Sequence, residues 1–409
     1  MSLPTIIALV KIVLLLGGLM TAAAYFVLVE RWIAAWVQGR KGPNRVGIPG
    51  TKIKLFGLGQ PLADGVKFIL KEDYTPAHVD KVLYAVAPFV ILTAALATFA
   101  VIPFGSMIPP LDFVGVTEPI ELVVAPGVDV GLIFVFALSS IAVYGVILGG
   151  WASNNKYSFL GGLRSSAQLI AYELPMGLGI LGIVLLAGSL RLDTIISDQA
   201  RTGVWNLFIQ PLGFIVFLIA AFAEAARLPF DLPECEQELI GGYHTEYAGM
   251  KLLLFLVAEF LHMITASFLI AILYLGGWHF WGLTGSPDEA VTWPIALLRL
   301  VVLGAKVVGV ILFFMLVRWS WPRFRFDQLM NLAWKVMLPL GLVNLAATAA
   351  LVEYRAQTGW NGNPLFYIAF GWILAIVGWV VAAIFSPLTP DNRPRVTMSG
   401  FDAERELRA

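Results

Sequence analysis

Apolar runs of twenty residues and more recur along the whole of this 409-residue chain, a pattern that a bilayer demands and a water-soluble core does not. Only 13% of the residues are charged, roughly half the share of an ordinary soluble domain. The runs lack the short alternation of barrel strands, so each reads as a helix. The expected fold is all-α and polytopic, with about nine transmembrane helices near 6–36, 85–104, 130–151, 166–189, 207–226, 250–276, 295–317, 332–352 and 366–386. In this reading 1–386 is a single transmembrane helical domain and 387–409 is a cytoplasmic, disordered tail.

Lys and Arg set the orientation. The loops after the odd-numbered spans hold most of them, including Arg40, Lys41, Arg45, Lys67, Lys71, Arg227, Arg323 and Arg325, whereas the even loops hold Arg191, Arg201 and Arg355. Basic loops stay inside, so the N-terminus is expected outside and the C-terminus in the cytoplasm. The first run, from Ile6 to about Trp36, is too long for a cleavable signal. A net charge of zero argues against a nucleic-acid partner, and the single cysteine, Cys235, excludes a disulfide framework or thiolate cluster within the chain. Cys235 reads as a small loop residue, with redox sensing as the alternative.

The first cytoplasmic loop opens with QGRKGPNRVGIPG, whose glycines and prolines impose turns. Then QPLADGVKFILKED puts Leu62, Val66, Ile69 and Leu70 on one helical face and Asp64, Lys67 and Lys71 opposite, with Phe68 at the polar edge. That is an interfacial amphipathic helix, or a helix packed on the protein's own loops. The third loop, GWASNNKYSFLGGLRSSAQ, is expected to be compact, the fourth to be a plain connection, and the sixth, rich in Trp and Phe, to lie at the outer interface.

Between the fifth and sixth spans lies RLPFDLPECEQELIGGYHTEY, from Arg227 to Tyr247, with Asp231, Glu234, Glu236, Glu238 and Glu246 against one cation. Further ionisable groups stand inside the spans: Glu173, Glu224, Glu259, Lys306, and Glu30 with Arg31. Each costs a few kcal/mol or more at membrane depth, which marks it as a functional candidate. On helix lengths Glu224 is just inside the membrane, with Glu173 and Glu259 deeper. A desolvated carboxyl exchanges protons at working pH better than a solvated one. The glutamates thus read as a proton path leading inward from the acidic loop, or as structural partners of Arg and Lys. Glu259 and His262 form one E-x-x-H pair, but a di-iron bundle needs two such pairs and two more glutamates, so no metal site is expected. His262 reads as a hydrogen-bonding core residue or a helper to Glu259.

Five stretches together resemble one family: ERWIAAWVQGRKGPNRVG, GQPLADGVKFILKED, GWASNNKYSFLGGLRSSAQLIAYELPMGL, FAEAARLPFDLPECEQELIGGYHTEYAGMK and RFRFDQLMNLAWKVMLPL. They are similar to one membrane subunit of bacterial respiratory complex I, NADH:quinone oxidoreductase, the counterpart of mitochondrial subunit 1, over roughly 20–350. The resemblance implies a subunit at the junction of the membrane arm with the peripheral arm, enclosing much of a quinone tunnel. It implies a tunnel mouth at Arg31, Arg40, Asp64, Lys67 and Phe68, and a chamber at Arg227, Asp231, Glu234, Glu236, Glu238 and Glu246. It implies proton-linking roles for Glu173, Glu224 and Glu259. Ubiquinone or menaquinone would be the substrate. NADH, FMN and iron–sulfur clusters would sit on partner subunits, with no metal, flavin or haem on this chain, in a bacterial plasma membrane.

The chain departs from the family pattern at Trp32, where a basic residue is usual, and at Phe260 and His262, where Tyr and Asn are usual. A ninth span also follows residue 353. A homologous subunit of an ion-pumping hydrogenase would share the fold and glutamates without quinone. A stand-alone proton-coupled transporter would show paired internal repeats, and none is evident.

Overall fold

In the computed structural model, residues 3–47, 54, 56–110, 119–231, 241–285, 291–358 and 364–385 are described. Eight helices among them are long and apolar enough to cross a membrane, and a ninth apolar helix is shorter. They are α1 (Leu3–Val37), α3 (Lys81–Ala97), α4 (Gly131–Ala152), α5 (Lys156–Ala187), α9 (Gly249–Leu273), α10 (Trp293–Ser320), the run from Phe326 to Thr358, and α13 (Pro364–Phe385). The short one is α8 (Pro211–Glu224). The chain is thus an all-α polytopic membrane protein.

Helix α9 is buried almost without a break from Ala258 to Leu273 and forms the axis of the bundle. Around it α3 packs on α4, α4 on α5, and α5 on α8 and on α12 (Leu338–Thr358). Glycines permit the closest approaches. A Cβ on Gly161 of α5 would stand 2.6 Å from the carbonyl carbon of Gly242, so the loop before α9 lies directly on that helix.

Four sequence expectations change. The fifth span, expected as one run at 207–226, is broken into α7 (Asn206–Ile209) and the 14-residue α8. Gln210 leaves the helical region, with φ −128° and ψ 62°, and Pro211 restarts the helix without needing a backbone N–H partner. The third loop shrinks to a few residues. Asn155 accepts a hydrogen bond from Tyr157 N as an N-cap, and α5 runs on through Gly161, Gly162 and Pro175. The fourth loop is not a plain connection: it holds α6 (Leu192–Thr202), which buries Leu192, Ile195, Ile196 and Gln199. The eighth span begins early, as α11 (Phe326–Asn331), and enters α12 through a π-helical turn at Leu332–Met337. The second loop also pairs two short strands, β1 (Met107–Ile108) and β2 (Ile120–Glu121), antiparallel.

Helix α2 (Gln60–Leu70) buries no residue fully. Leu62, Val66, Ile69 and Leu70 are all exposed, while Asp64 turns to α1. An apolar face left open, with the polar face docked, favours the interfacial reading over packing on the chain's own loops. Helix α13 is seated closely: a Cβ on Gly371 would fall 2.0 Å from Ile209 O, at the end of α7.

A carboxylate cavity beside a buried ion network

The turn after α8 decides where Arg227 goes. Ala226 takes a left-handed φ of 48°, uncommon for a residue with a Cβ, and reverses the backbone at the end of the helix. Gln168 of α5 holds this turn by donating through Nε2 to Ala223 O at 3.0 Å and Phe230 O at 2.8 Å. Arg227 therefore points into the protein, and it is only 2% exposed.

There Arg227 joins two acids from different helices. Its Nη1 donates to both carboxylate oxygens of Glu30 on α1, at 3.2 and 3.0 Å. Its Nε lies 3.0 Å from Glu259 Oε1 on α9, and its guanidinium stacks over the Phe260 ring at 4.2 Å. Arg318 of α10 donates to Glu30 at 2.5 Å. Two cations and two anions thus balance in one buried network, which satisfies the requirement that buried charge be paired. The sequence singled out Glu259 and Arg227 but not as a pair. It noted Glu30 without a role and missed Arg318. An ionisable residue in an apolar run was the available signal for Glu30. Arg318 offered none, because it stands near a helix end.

Next to this network is a cavity of about 50 Å³, room for a few waters, whose lining includes Glu173, Glu224, Glu259, His262, Ser139 and Tyr243. Ser139 of α4 hydrogen-bonds Glu224, and the next residue, Ser140, hydrogen-bonds Glu173. Consecutive serines on one helix put these two carboxyls at one level, where the sequence placed Glu173 deeper. The reason is the length of α8, which starts only at Pro211 and ends at Glu224 after fourteen residues, ~21 Å of helix, short of a full span. Among the described residues neither Glu173 nor Glu224 has a cation within ion-pair distance. This arrangement offers carboxyls that can exchange protons through water, beside a guanidinium held between two carboxylates.

The remaining candidates fall into separate places. Arg31 Nη1 pairs with Asp64 Oδ2 at 2.7 Å, Gln60 donates to Asp64 at 3.1 Å, and Lys67 lies 3.9 Å from Asp64 and 4.7 Å from the Phe68 ring centre. These join α1 to α2. Arg40 stands apart, exposed, with Nε donating to Gln38 at 2.7 Å. Asp231 is buried at the start of the acidic loop. Glu246 accepts from Asn155 Nδ2 at 2.6 Å, and its carbonyl accepts from Tyr84 O–H at 2.6 Å. Tyr243, from the same stretch, reaches the cavity wall. Glu234, Cys235, Glu236 and Glu238 lie outside the described residues, as does 387–409.

Lys306, midway along α10, is not part of the carboxylate group. Its Nζ donates to the carbonyls of Leu275 at 2.6 Å, Gly277 at 2.9 Å and His279 at 2.6 Å, and lies 4.7 Å from the Trp205 ring. It ties α10 to the loop that follows α9, satisfying three loop carbonyls with one ammonium.

His244, in the loop before α9, is held by burial down to a pKa of about 4. Its ordinary value is 6.5. The folded chain therefore favours the neutral ring. Stability from this site is complete above about pH 6.5, falls as pH drops toward 4, and levels off below. We expect the wild type to lose about 2–3 kcal/mol more than His244→Gln between pH 7 and pH 4.5, read as the difference in their unfolding midpoints in mild detergent. Parallel midpoints for the two would count against it.

An all-α polytopic membrane protein with a buried carboxylate–guanidinium junction is the class this architecture defines. A profile of the NADH dehydrogenase family matches residues 10–349, and the chain belongs to that family. It is 47% identical over 349 residues to an H-type subunit of NADH-quinone oxidoreductase from Geobacter metallireducens, covering 85% of this chain and 97% of that one. The H-type subunit of the same enzyme from Cytophaga hutchinsonii is 45% identical, with 81% and 92% covered, and that from Flavobacterium johnsoniae is 42% identical, with 84% and 94% covered. The family match ends before α13 begins.

Proposed function

We propose that this chain is the membrane-arm subunit of a proton-pumping NADH:quinone oxidoreductase, forming much of the quinone access tunnel and chamber and linking quinone reduction to proton translocation. The observation that carries this reading is the junction at Arg227. One guanidinium, rooted in the acidic loop, touches Glu30 on one side and Glu259 on the other, and Glu259 lines the cavity shared with Glu173 and Glu224. Quinone reduction beside the loop consumes protons and changes the local charge. Protonation at Asp231 or the loop glutamates shifts the field on Arg227. A proton on Glu259 leaves Arg227 to Glu30, and return of the charge draws it back. The loop is thereby coupled to carboxyls in the bundle without a redox group on this chain. NADH, FMN and iron–sulfur clusters belong in this proposal to peripheral-arm partners, and ubiquinone or menaquinone enters from the lipid.

The assignment is tested by purifying the tagged chain from its native membrane in mild detergent. Co-purifying flavin and iron–sulfur subunits with inhibitor-sensitive NADH:quinone activity support it. Hydrogenase partners would remove the quinone, and a chain that purifies alone and folded would remove the complex.

The tunnel mouth has its own expected result. Asp64→Asn removes the shared partner of Arg31 and Lys67, a partly exposed cluster worth about 1 kcal/mol. The apparent KM for a long-tailed quinone should rise about fivefold, with NADH oxidation by an artificial acceptor unchanged. Unchanged kinetics with both long-tailed and water-soluble quinones would reject the α1–α2 junction as the mouth.

A further inference from the structure

One face of α9 carries Glu259, His262, Thr265 and Leu269 at spacings of three and four residues, so their side chains stand one above another along the helix. Glu259 and His262 line the larger cavity with Glu173 and Glu224. His262 and Thr265 line a second cavity of about 10 Å³, room for about one water, toward the Leu273 end of α9. Glu224 and Ser139 are shared by both walls. Beyond them, Thr265 Oγ1 lies 3.4 Å from Thr98 Oγ1, next to α3. The carboxyl of Glu224 and the imidazole of His262 are therefore the two titratable groups, among the described residues, that separate the cavities. A core histidine kept for packing is normally held by a hydrogen bond, and His262 makes none to the described residues.

We propose that His262 is a proton-transferring residue that joins the carboxylate cavity to the second cavity on its Leu273 side. The proposal rests on the proton-relay reading above and extends it past the glutamates. The titratable groups that line a cavity with the ring are Glu173 from α5, Glu224 from α8, Tyr243 from the loop before α9 and Glu259 from its own helix, with Arg227 behind Glu259; α4 and the turn after α3 contribute the hydroxyls of Ser139 and Thr98. An imidazole suits this place because it takes a proton on one ring nitrogen and releases one from the other. An O–H bond at Glu259 or Glu224 breaks as an N–H bond forms, and the opposite N–H bond then breaks to a water in the second cavity. Tautomer exchange restores the ring, and no electron moves. An amide side chain at this position hydrogen-bonds but cannot carry the proton.

The test uses the whole complex in sealed native membrane vesicles, comparing wild type, His262→Asn and the Glu173→Gln/Glu259→Gln double variant. Assembly is read first on native gels, then NADH:quinone turnover, proton uptake, and the pH profile of coupled turnover. His262→Asn should assemble normally, lower coupled turnover about tenfold or more, and change the shape of the pH profile. Failure of His262→Asn to assemble, or slower turnover with an unchanged pH profile, would make the role structural and overturn the proposal. Wild-type turnover in His262→Asn while the double variant stops pumping would also overturn it and leave the glutamate relay standing. Full pumping in the double variant would remove the relay and this extension together.

Discussion

Arg227→Met should destabilise the chain more than any other single replacement in the ion network. Arg227 is 2% exposed and holds Glu30 at 3.0 Å and Glu259 at 3.0 Å. Without it Arg318 alone, among the described cations, faces Glu30, and the stack on Phe260 is lost. Breaking a buried pair by removing one partner costs about 3–5 kcal/mol, because the charge left behind stays desolvated. The expected readouts are a large drop in unfolding midpoint in mild detergent and little assembled complex in the membrane. Arg227→Lys keeps the charge but not the planar fork, so it should fall between. Adding Glu259→Gln to Arg227→Met, which leaves Glu30 paired with Arg318, should recover most of the stability and none of the coupled activity. A midpoint for Arg227→Met equivalent to within about 1 kcal/mol of wild type would mean that the network does not hold these helices.

The second large effect is on coupling. Glu173→Gln with Glu259→Gln keeps the side-chain size, and at residue 173 keeps an acceptor for Ser140, but neither glutamine can release a proton. Proton pumping in the assembled complex should fall to background, and coupled NADH:quinone turnover should fall by tenfold or more. Each single variant should do less, since two carboxyls remain on the same cavity instead of Glu224 alone. Vesicles that acidify at the wild-type rate with both changes present would exclude a relay through these carboxyls.

The two variants probe different kinds of charge that looked alike in the sequence. Glu173, Glu224 and Glu259 each appeared as an acid in an apolar run, and the choice between proton path and structural partner stayed open. In the folded chain Glu259 is paired with Arg227, whereas Glu173 and Glu224 are met by serine hydroxyls. Nothing local distinguishes them, because each partner is on another segment and distant along the chain. Ser139 and Ser140 had no visible signal, since serines are ordinary residues in apolar helices. Lys306 looked like another membrane-depth charge until its three carbonyl acceptors placed it against the loop after α9.

Hydropathy and the distribution of charge were enough to determine an all-α membrane chain, the approximate position of its spans and the amphipathic α2, because these follow from the cost of exposing backbone and charge to lipid. The family was legible from the first loop and the RLPFDLPE stretch. Tertiary structure alone decided where helices break and which charges meet. The break at Gln210 and the turn at Ala226 shorten α8, which brings Glu224 level with Glu173 and aims Arg227 inward. Pairing of Arg227 with Glu30 and Glu259 needs three separate segments to arrive at one point, and that depends on packing geometry that no single stretch of sequence contains.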